Sequence, residues 1–216
     1  YSLMDDFIKK YPLLESIKVS RETCLDFVEF LSMIKKKNRE INLISNKDIL
    51  NNNVMNRHII DSAQIIDFVD LKCNTTYDLG SGGGFPGIII AIIAKNMKKN
   101  IKINLCEKAY HKAAFLKNVS RELNLNTEIF QKDILEIKKI KTGTIMARAF
   151  KPLTETLDIV CNNFEEYKNL IVFMGKSGEK LLKENLKKWD LKFEKKKSIT
   201  SQDSFLLNIT NIKKKI

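Results

Sequence analysis

A glycine-rich turn near residue 80 carries the residues with the clearest chemical meaning. Residues 77–87 read YDLGSGGGFPG, so an acidic residue closes a short apolar run and the apolar stretch 88–94 follows the turn. Glycines allow positive φ and let the backbone approach a ligand without interference from a Cβ atom. A strand, a glycine turn and the start of a helix in this order predict a nucleotide-type cofactor site. The alternative is a glycine turn that binds no ligand.

Asp78, two residues before Gly80, helps to choose the cofactor. A carboxylate at this position would repel the pyrophosphate of a dinucleotide. It would instead attract the ammonium and sulfonium groups of S-adenosylmethionine. The G-x-G-x-x-G pattern does not decide between the two, since from Gly80 its third glycine falls on Phe85, whereas from Gly82 it falls on Gly87. S-adenosylmethionine is the favoured cofactor, with Gly84 completing the predicted loop, and a dinucleotide remains the alternative.

Two further acids follow predicted strands. Glu107 ends the second predicted strand, at a position where a carboxylate can accept hydrogen bonds from a ribose diol. The alternative for Glu107 is a structural acid at a helix N-terminus. Asp133 follows the third predicted strand, where it could meet either the adenine amino group or the neighbouring loop.

Basic residues near the fourth predicted strand could contact the methyl acceptor. Residues 148–152 read RAFKP, and Arg148 and Lys151 beside an aromatic ring suit a guanine or a phosphate. A surface loop with a buried phenylalanine is the alternative. Arg57 and His58 lie just before the predicted cofactor region, where the residues alone favour a structural role.

The composition points to a polyanionic partner. The 216 residues fit one large domain or one domain with a small appendage, and 38 Lys and Arg against 26 Asp and Glu give a net charge of +12. This charge favours nucleic acid, while a general lysine-rich bias is the alternative. The four cysteines are scattered, without zinc-type spacing, so we expect no metal. No apolar run approaches the ~20 residues that a membrane span requires, and no signal pattern is present, so we expect a cytoplasmic protein.

The order of predicted elements indicates an α/β fold. Residues 1–70 are predicted to be a helical cap, with helices over 22–38 and 59–69. The apolar stripe of the first helix consists of Leu25, Val28, Leu31 and Ile34, and Phe27 and Phe30 widen it. Residues 71–216 alternate strands and helices, which implies a parallel sheet. The predicted strands cover 76–79, 101–106, 128–130, 144–147 and 170–174. The last two, 191–199 and 205–212, are too close in sequence for a parallel crossover and should form an antiparallel hairpin. This layout is typical of a Rossmann-like class I S-adenosylmethionine-dependent methyltransferase.

Several motifs in one order resemble a known family. RHIIDS at 57–62, DLGSGGGFPG at 78–87 and RAF at 148–150 are similar to motifs of the RsmG (GidB) family of bacterial 16S rRNA guanine-N7 methyltransferases. The resemblance implies S-adenosylmethionine contacts at Gly80, Phe85, Lys132, Asp133 and Arg148, and a functional role for Arg57 and His58. It also implies 16S ribosomal RNA as partner, within the small ribosomal subunit, and we expect a monomer. The chain departs from the family pattern at Gln131, at Gly175-Lys176 and at Ser204-Phe205.

The implied reaction would need positioning rather than a general base. Guanine N7 carries a free lone pair and no proton, so we expect no catalytic acid or base, and the protein has to hold acceptor and methyl group in line at about 3–3.5 Å. Three alternatives remain open at this point. The chain could methylate a small molecule or a protein, could use a dinucleotide in redox chemistry, or could bind the ribosome without catalysis.

Overall fold

The computed structural model describes residues 3–216 of the chain, so Tyr1 and Ser2 of the predicted cap lie outside the described residues. Helices cover much of the first 70 residues and then alternate with strands. The α-helices are α1 (Leu3–Lys10), α2 (Pro12–Ser16), α3 (Arg21–Lys37), α4 (Asn46–Leu50), α5 (Asp61–Ala63), α6 (Gly87–Asn96), α7 (Tyr110–Glu122), α8 (Leu153–Asn163) and α9 (Gly178–Leu186).

Within the described residues, seven strands form the central sheet in the order β3-β2-β1-β5-β7-β9-β8. These strands are β1 (Thr75–Leu79), β2 (Lys102–Cys106), β3 (Thr127–Phe130), β5 (Thr144–Ala147), β7 (Asn169–Met174), β8 (Trp189–Lys197) and β9 (Phe205–Lys214), while β4 (Ile140–Lys141) and β6 (Phe164–Glu166) pair separately. β3, β2, β1, β5 and β7 run parallel to one another. The predicted α/β fold with a mostly parallel sheet is therefore confirmed.

The sheet ends in the predicted antiparallel hairpin. β9 pairs antiparallel with β7, with Met174 opposite Phe205, and β8 pairs antiparallel with β9. Because β9 runs against β7, the loop that joins β8 to β9 lies at the same edge of the sheet as the carboxyl ends of the parallel strands. This edge is where α/β proteins bind their ligands.

Strand alternation divides the apolar side chains between two cores. Ile145 and Met146 are neighbours in β5, yet Ile145 belongs to the core that contains Leu157 of α8, whereas Met146 belongs to the core that contains Phe30 of α3. Successive side chains of a strand point to opposite faces, which explains the division. The helices before residue 70 thus share a core with α6. The boundary near residue 70 stays a prediction, and we propose that both parts unfold in one transition, which denaturant titration would test.

The buried face of α3 differs from the predicted stripe. The helix buries Cys24, Phe27, Phe30 and Ile34, whereas Leu25 is 54% exposed. Val28 is also exposed. The prediction was wrong for Leu25 and Val28. Apolar residues lie on more than one face of this helix, and the packing partners decide which face is buried.

The segment predicted as one helix over 59–69 is broken. A π-helix spans Met55–Ile60, α5 follows at once, and a 3-10 turn covers Ile66–Phe68. π-helical turns are rare and are frequently found at functional sites. This one carries Arg57 and His58.

Among the described residues, no helix combines the length and the apolar character that crossing a bilayer would require.

Candidate active site at the carboxyl edge of the sheet

A cavity of about 290 Å³ opens at the carboxyl ends of β1 and β2. It contains six of the predicted site residues. Its lining is Gly80, Gly82, Cys106, Glu107, Lys108, Lys112, Lys132, Asp133, Ile134, Ala149, Phe150 and Lys151. The volume is near the lower end of the range for small-molecule sites, roughly 300–1,000 Å³.

The glycine loop requires glycine at its first position. Gly80 has a φ of +68°, and a Cβ atom built on it would lie 2.5 Å from Cδ2 of Phe150. The ring of Phe150 thus packs directly on the loop, between the segment after β1 and the segment after β5. Gly84, which has a φ of +105°, does not line the cavity, and a Cβ atom there would meet Ile88 and Phe30. Gly84 therefore serves the packing of the loop on the core.

Glu107 holds the loop from the floor of the cavity. One carboxylate oxygen, Oε2, accepts a hydrogen bond from the backbone N–H of Gly82 at 2.9 Å, and Oε1 accepts one from the N–H of Ala109 at 2.8 Å. Hydrogen bonds to a charged acceptor are stronger than neutral ones. Each carboxylate oxygen has further lone pairs, so Glu107 can accept from a ligand diol as well.

Asp78 lies beneath the cavity and does not line it. Its side chain is fully buried, Oδ2 accepts from the N–H of Gly87 at 2.9 Å, and Oδ1 has no hydrogen-bond partner among the described residues. Burial raises the pKa of Asp78 from 3.8 to about 7, although Ser81, the Gly87 N–H and Arg148 favour the charged form. Direct contact with a cofactor stays a prediction, and the geometry assigns Asp78 first to the start of α6.

Lys132 and Asp133 lie on the cavity wall after β3. The Asp133 Oδ1 atom accepts from the N–H of Leu135 at 3.1 Å, which caps a short 3-10 turn, and Lys108 Nζ lies 3.9 Å from its Oδ2 atom. Asp133 therefore has a structural role in the loop and still borders the cavity.

Arg148 lies beside the cavity, in a different environment. Its Nε donates to Oδ2 of Asp61 at 2.9 Å, and its Nη2 donates to the carbonyl oxygen of Arg57 at 2.8 Å. The guanidinium also lies over the rings of Phe85 and Phe173, 5.9 and 5.8 Å from the ring centroids. Arg148 therefore joins the end of β5 to the N-terminal helices.

His58 continues this network away from the sheet. Its Nε2 lies 2.9 Å from Oδ2 of Asp48, and its Nδ1 lies 3.4 Å from Nη2 of Arg148. Because Arg148 has only donors to offer, Nδ1 must accept, and Nε2 carries the proton toward Asp48. Burial lowers the pKa of His58, which favours this neutral form near pH 7. The exposed Arg57 guanidinium lies 3.4 Å from Oδ1 of Asp48.

Asp61 connects the network to the β8–β9 loop. Its Oδ1 accepts from Thr200 Oγ1 at 2.6 Å and from Gln64 Nε2 at 2.9 Å. Gln64 in turn accepts from the N–H of Ile199 at 3.1 Å. We name Asp48, His58, Asp61, Gln64, Arg148 and Thr200 the Arg148 network. Sequence reasoning missed Asp48, Gln64 and Thr200 as members, because nothing in the local pattern places them near Arg148.

A second cavity of about 290 Å³ adjoins the first. It shares Ala149, Phe150 and Lys151 with the first cavity and extends to β5 and β7, and its lining is Ala147, Ala149, Phe150, Lys151, Pro152, Val172 and Phe173. Ala149 has a φ of +49°, which is uncommon for a residue other than glycine. After this turn, Phe150 and Lys151 lie between the two cavities and line both of them.

Residues 23–209 match the family described as rRNA small subunit methyltransferase G, GidB. The chain is 58% identical over 212 residues to ribosomal RNA small subunit methyltransferase G of Pelagibacter ubique (strain HTCC1062), covering 98% of this chain and 100% of that protein. The chain belongs to the rRNA small subunit methyltransferase G family. It is also 36% identical to the protein of that name from Bartonella tribocorum, with 97% and 99% of the two chains covered.

A solved structure confirms the predicted fold class. A SAM-dependent methyltransferase from Aquifex aeolicus superposes with a TM-score of 0.54 at 12% identity, over 72% of this chain and 91% of the other. The Rossmann-like fold predicted from the sequence is thus shown for this rRNA small subunit methyltransferase G family member. Membership of the family shows that the chain is a methyltransferase.

The residues that the resemblance implied as cofactor contacts lie in two places. Gly80, Lys132 and Asp133 line the first cavity. Phe85 is buried, with its ring centroid 5.3 Å from that of Phe30 and 5.2 Å from that of His58. Phe85 therefore packs against two members of the Arg148 network, Arg148 and His58, beside the cavity. For this rRNA small subunit methyltransferase G family member, the roles of all these residues stay predictions.

Within residues 3–216 no group of three or more His, Cys, Asp or Glu side chains is arranged to hold a metal ion. A metal-free site stays an expectation.

Proposed function

We propose that this protein transfers a methyl group from S-adenosylmethionine to N7 of a guanine in 16S ribosomal RNA of the small subunit. The observation that carries the proposal is the pair of adjoining cavities that share residues 149–151. One cavity has a glycine loop with acidic groups around it, and the other is bordered by aromatic and basic side chains. Such a pair suits a donor and an acceptor that must meet at one point.

The residues of the first cavity fit S-adenosylmethionine. When bound there, this cofactor supplies a methyl group on a positively charged sulfur. The loop at Gly80 and Gly82 offers close backbone approach, and Glu107 offers carboxylate oxygens for ribose hydroxyls. Asp133 and Lys132 border the side where we propose that adenine lies. Asp78, Gly84 and Phe85 would support the loop from below.

The second cavity fits a guanine ring. Phe150 and Phe173 supply aromatic surface, and Lys151 supplies a cation for the carbonyl or a neighbouring phosphate. The Arg148 network would fix the wall behind them. Arg57, whose side chain is 59% exposed, would meet RNA from the N-terminal helices. His58 would act indirectly, because its side chain is only 13% exposed and its two ring nitrogens contact Asp48 and Arg148.

Positioning accounts for the chemistry. S-adenosylmethionine held at Gly80, Gly82 and Glu107 would supply the methyl group to the N7 lone pair, the bond from the methyl carbon to sulfur being exchanged for one to N7. No proton is transferred, so no residue has to act as a base. Holding the two reactants in line and in contact supplies the rate enhancement.

The net charge of +12 supports RNA as the acceptor rather than a small molecule or another protein. The proposal implies a cytoplasmic location, since small subunits are assembled there, and a monomer that works without a metal.

The test is methyl transfer from labelled S-adenosylmethionine to small ribosomal subunits that lack this modification. Incorporation into 16S rRNA is expected. Binding of NAD in place of S-adenosylmethionine would instead favour redox chemistry. Subunit binding without transfer, in protein shown to bind S-adenosylmethionine, would favour a non-enzymatic ribosome-binding factor.

A further inference from the structure

A third cavity, of about 470 Å³, lies at the hairpin end of the same sheet edge. It is separate from the first cavity, where we place the cofactor, and from the second cavity, which we call the acceptor cavity. Its lining is Lys176, Glu179, Lys195, Lys197, Gln202, Asp203, Ser204 and Phe205. We name it the hairpin cavity.

Two of its three lysines have uncompensated charge. Lys195 forms an ion pair with Glu179 and lies over the ring of Phe205, 4.6 Å from the ring centroid. Lys176 and Lys197 are exposed and have no ion-pair partner among the described residues. Asp203 is the opposing acid of the lining. The pairing of Glu179 with Lys195 leaves two free ammonium groups against one carboxylate.

The chemistry of the lining suits a phosphate better than a base. Lysine ammonium groups act as compact point charges for phosphate oxygens. The Phe205 ring is buried in the apolar core and is covered by Lys195, so it offers no free face for stacking. Ser204 and Gln202 add uncharged polar groups that can donate to phosphate oxygens.

The hairpin cavity lies in line with the acceptor cavity. β5 and β9 are both neighbours of β7, so they are separated by two strand spacings, roughly 10 Å. The acceptor cavity lies at the ends of β5 and β7, and the hairpin cavity lies at the ends of β7 and β9. A nucleic acid strand with one base in the acceptor cavity would therefore pass close to the hairpin cavity.

The loop that borders this cavity is also tied to the Arg148 network. Thr200 donates to Asp61, and the Ile199 N–H donates to Gln64. These bonds fix the start of the β8–β9 loop against Asp61 and Gln64, and Asp61 also pairs with Arg148, the residue before Ala149 in the acceptor cavity. A strand bound at the hairpin cavity is thus held in a defined position relative to that site.

We propose that the hairpin cavity binds a backbone phosphate of the RNA segment that flanks the target guanine, through Lys176 and Lys197. This inference rests on the proposed function, because it assigns a second contact to the same RNA. It explains how a shallow guanine site can select one position on a large particle, since a second contact fixes the strand.

The test compares the double variant K176A/K197A with wild type and with Lys213→Ala. Lys213 is exposed near the end of β9, at the opposite edge of the sheet from the hairpin cavity. It has no ion-pair partner among the described residues. Binding of unmethylated small ribosomal subunits is measured over a series of KCl concentrations, with S-adenosylmethionine affinity and thermal unfolding measured in parallel. Asp203→Asn removes a negative charge from the hairpin cavity, so its effect on subunit affinity should be opposite to that of the lysine variants.

For K176A/K197A we expect subunit affinity to fall by about 10-fold or more, with a salt dependence shallower by about 0.7 in log–log slope for each lost phosphate contact. S-adenosylmethionine affinity should stay at the wild-type value, because the first cavity does not include these lysines. Lys213→Ala should bind as wild type does, and Asp203→Asn should bind more tightly.

Wild-type affinity and slope in a folded K176A/K197A protein would overturn the proposal. So would a loss of affinity that Lys213→Ala shares in full, since that would indicate general charge. The failure of the proposed function would look different, because wild-type protein would then bind S-adenosylmethionine and subunits without transferring a methyl group.

Discussion

The Nε atom of Arg148 lies 2.9 Å from Oδ2 of Asp61, which joins the residue after β5 to a helix 87 positions earlier in the chain. Both side chains are mostly buried, with 19% and 16% of their surfaces exposed. The other oxygen of Asp61 accepts from Thr200. One carboxylate therefore sets the orientation of Arg148 and fixes the β8–β9 loop.

Replacing Asp61 with Asn should uncouple these elements without loss of fold. The amide removes the charge that Arg148 faces and places an N–H₂ group against donors. We expect methyl transfer to fall by at least about 10-fold and the free energy of unfolding to fall by about 1–3 kcal/mol. S-adenosylmethionine affinity, measured by calorimetry, should change less than twofold. The control is Asp67→Asn, an exposed aspartate without a hydrogen-bond partner in the described part of the chain. Equal activities of the two variants would remove Asp61 from the positioning role.

Replacing Glu107 with Gln should weaken the cofactor site directly. The carboxylate accepts from two backbone N–H groups, and an amide supplies only one oxygen for them. Hydrogen bonds to charged groups contribute about 1.5–3 kcal/mol, so we expect S-adenosylmethionine affinity to fall by about 10-fold or more. The matched control is Glu29→Gln, on the exposed side of α3. Unchanged affinity in Glu107→Gln would mean that the ligand lies elsewhere.

Two glycines give a matched pair of alanine variants. At Gly80 a Cβ atom would lie 2.5 Å from the Phe150 ring and the φ is positive, whereas at Gly175 nothing lies within 4 Å and no positive φ is required. We expect Gly80→Ala to displace Phe150 and to lower S-adenosylmethionine affinity at least about 10-fold. Gly175→Ala should keep wild-type affinity and thermal stability. The account of the loop would be wrong if both variants bound the cofactor equally well.

Asp78→Asn should change how stability depends on pH. Burial raises the pKa of Asp78 from 3.8 to about 7, so between these values the folded protein keeps a proton that the unfolded chain has released. The wild-type free energy of unfolding therefore loses the Asp78 contribution as pH rises from about 4 to about 7. The asparagine variant has no such loss, and it should gain stability relative to wild type across that range. Denaturant unfolding at several pH values measures the difference in free energy of unfolding between the two proteins. A difference that does not change with pH would contradict the raised pKa of Asp78.

Local sequence patterns were sufficient to predict the sheet and the glycine loop. Residues 144–147 were predicted as a strand with the bounds that the structure shows, because so short an apolar run has the length of a strand and not of a helix. The hairpin was predictable from the short gap before Phe205. The loop at Gly80 was predictable because the required backbone conformation restricts the residue type.

Features that depend on long-range packing could not be predicted in this way. Leu25, Phe27 and Phe30 were all placed on the apolar stripe of α3, yet the packing partners of that helix bury only the two phenylalanines and leave Leu25 exposed. The helix predicted over 59–69 is broken after Ala63, and the π-helix that precedes α5 places His58 against Asp48 and Arg148. The pairing of Asp61 with Thr200 spans 139 positions, and neither residue type signals the other.

The most direct test of the account is the identity of the methylated nucleotide. Unmethylated small ribosomal subunits are incubated with the protein and labelled S-adenosylmethionine, and the 16S rRNA is then digested to nucleosides and mapped. The account predicts 7-methylguanosine at a single position, with transfer lowered more than about 100-fold in Arg148→Ala protein that remains folded. Label in another base, label in protein, or near-wild-type transfer by Arg148→Ala would contradict it.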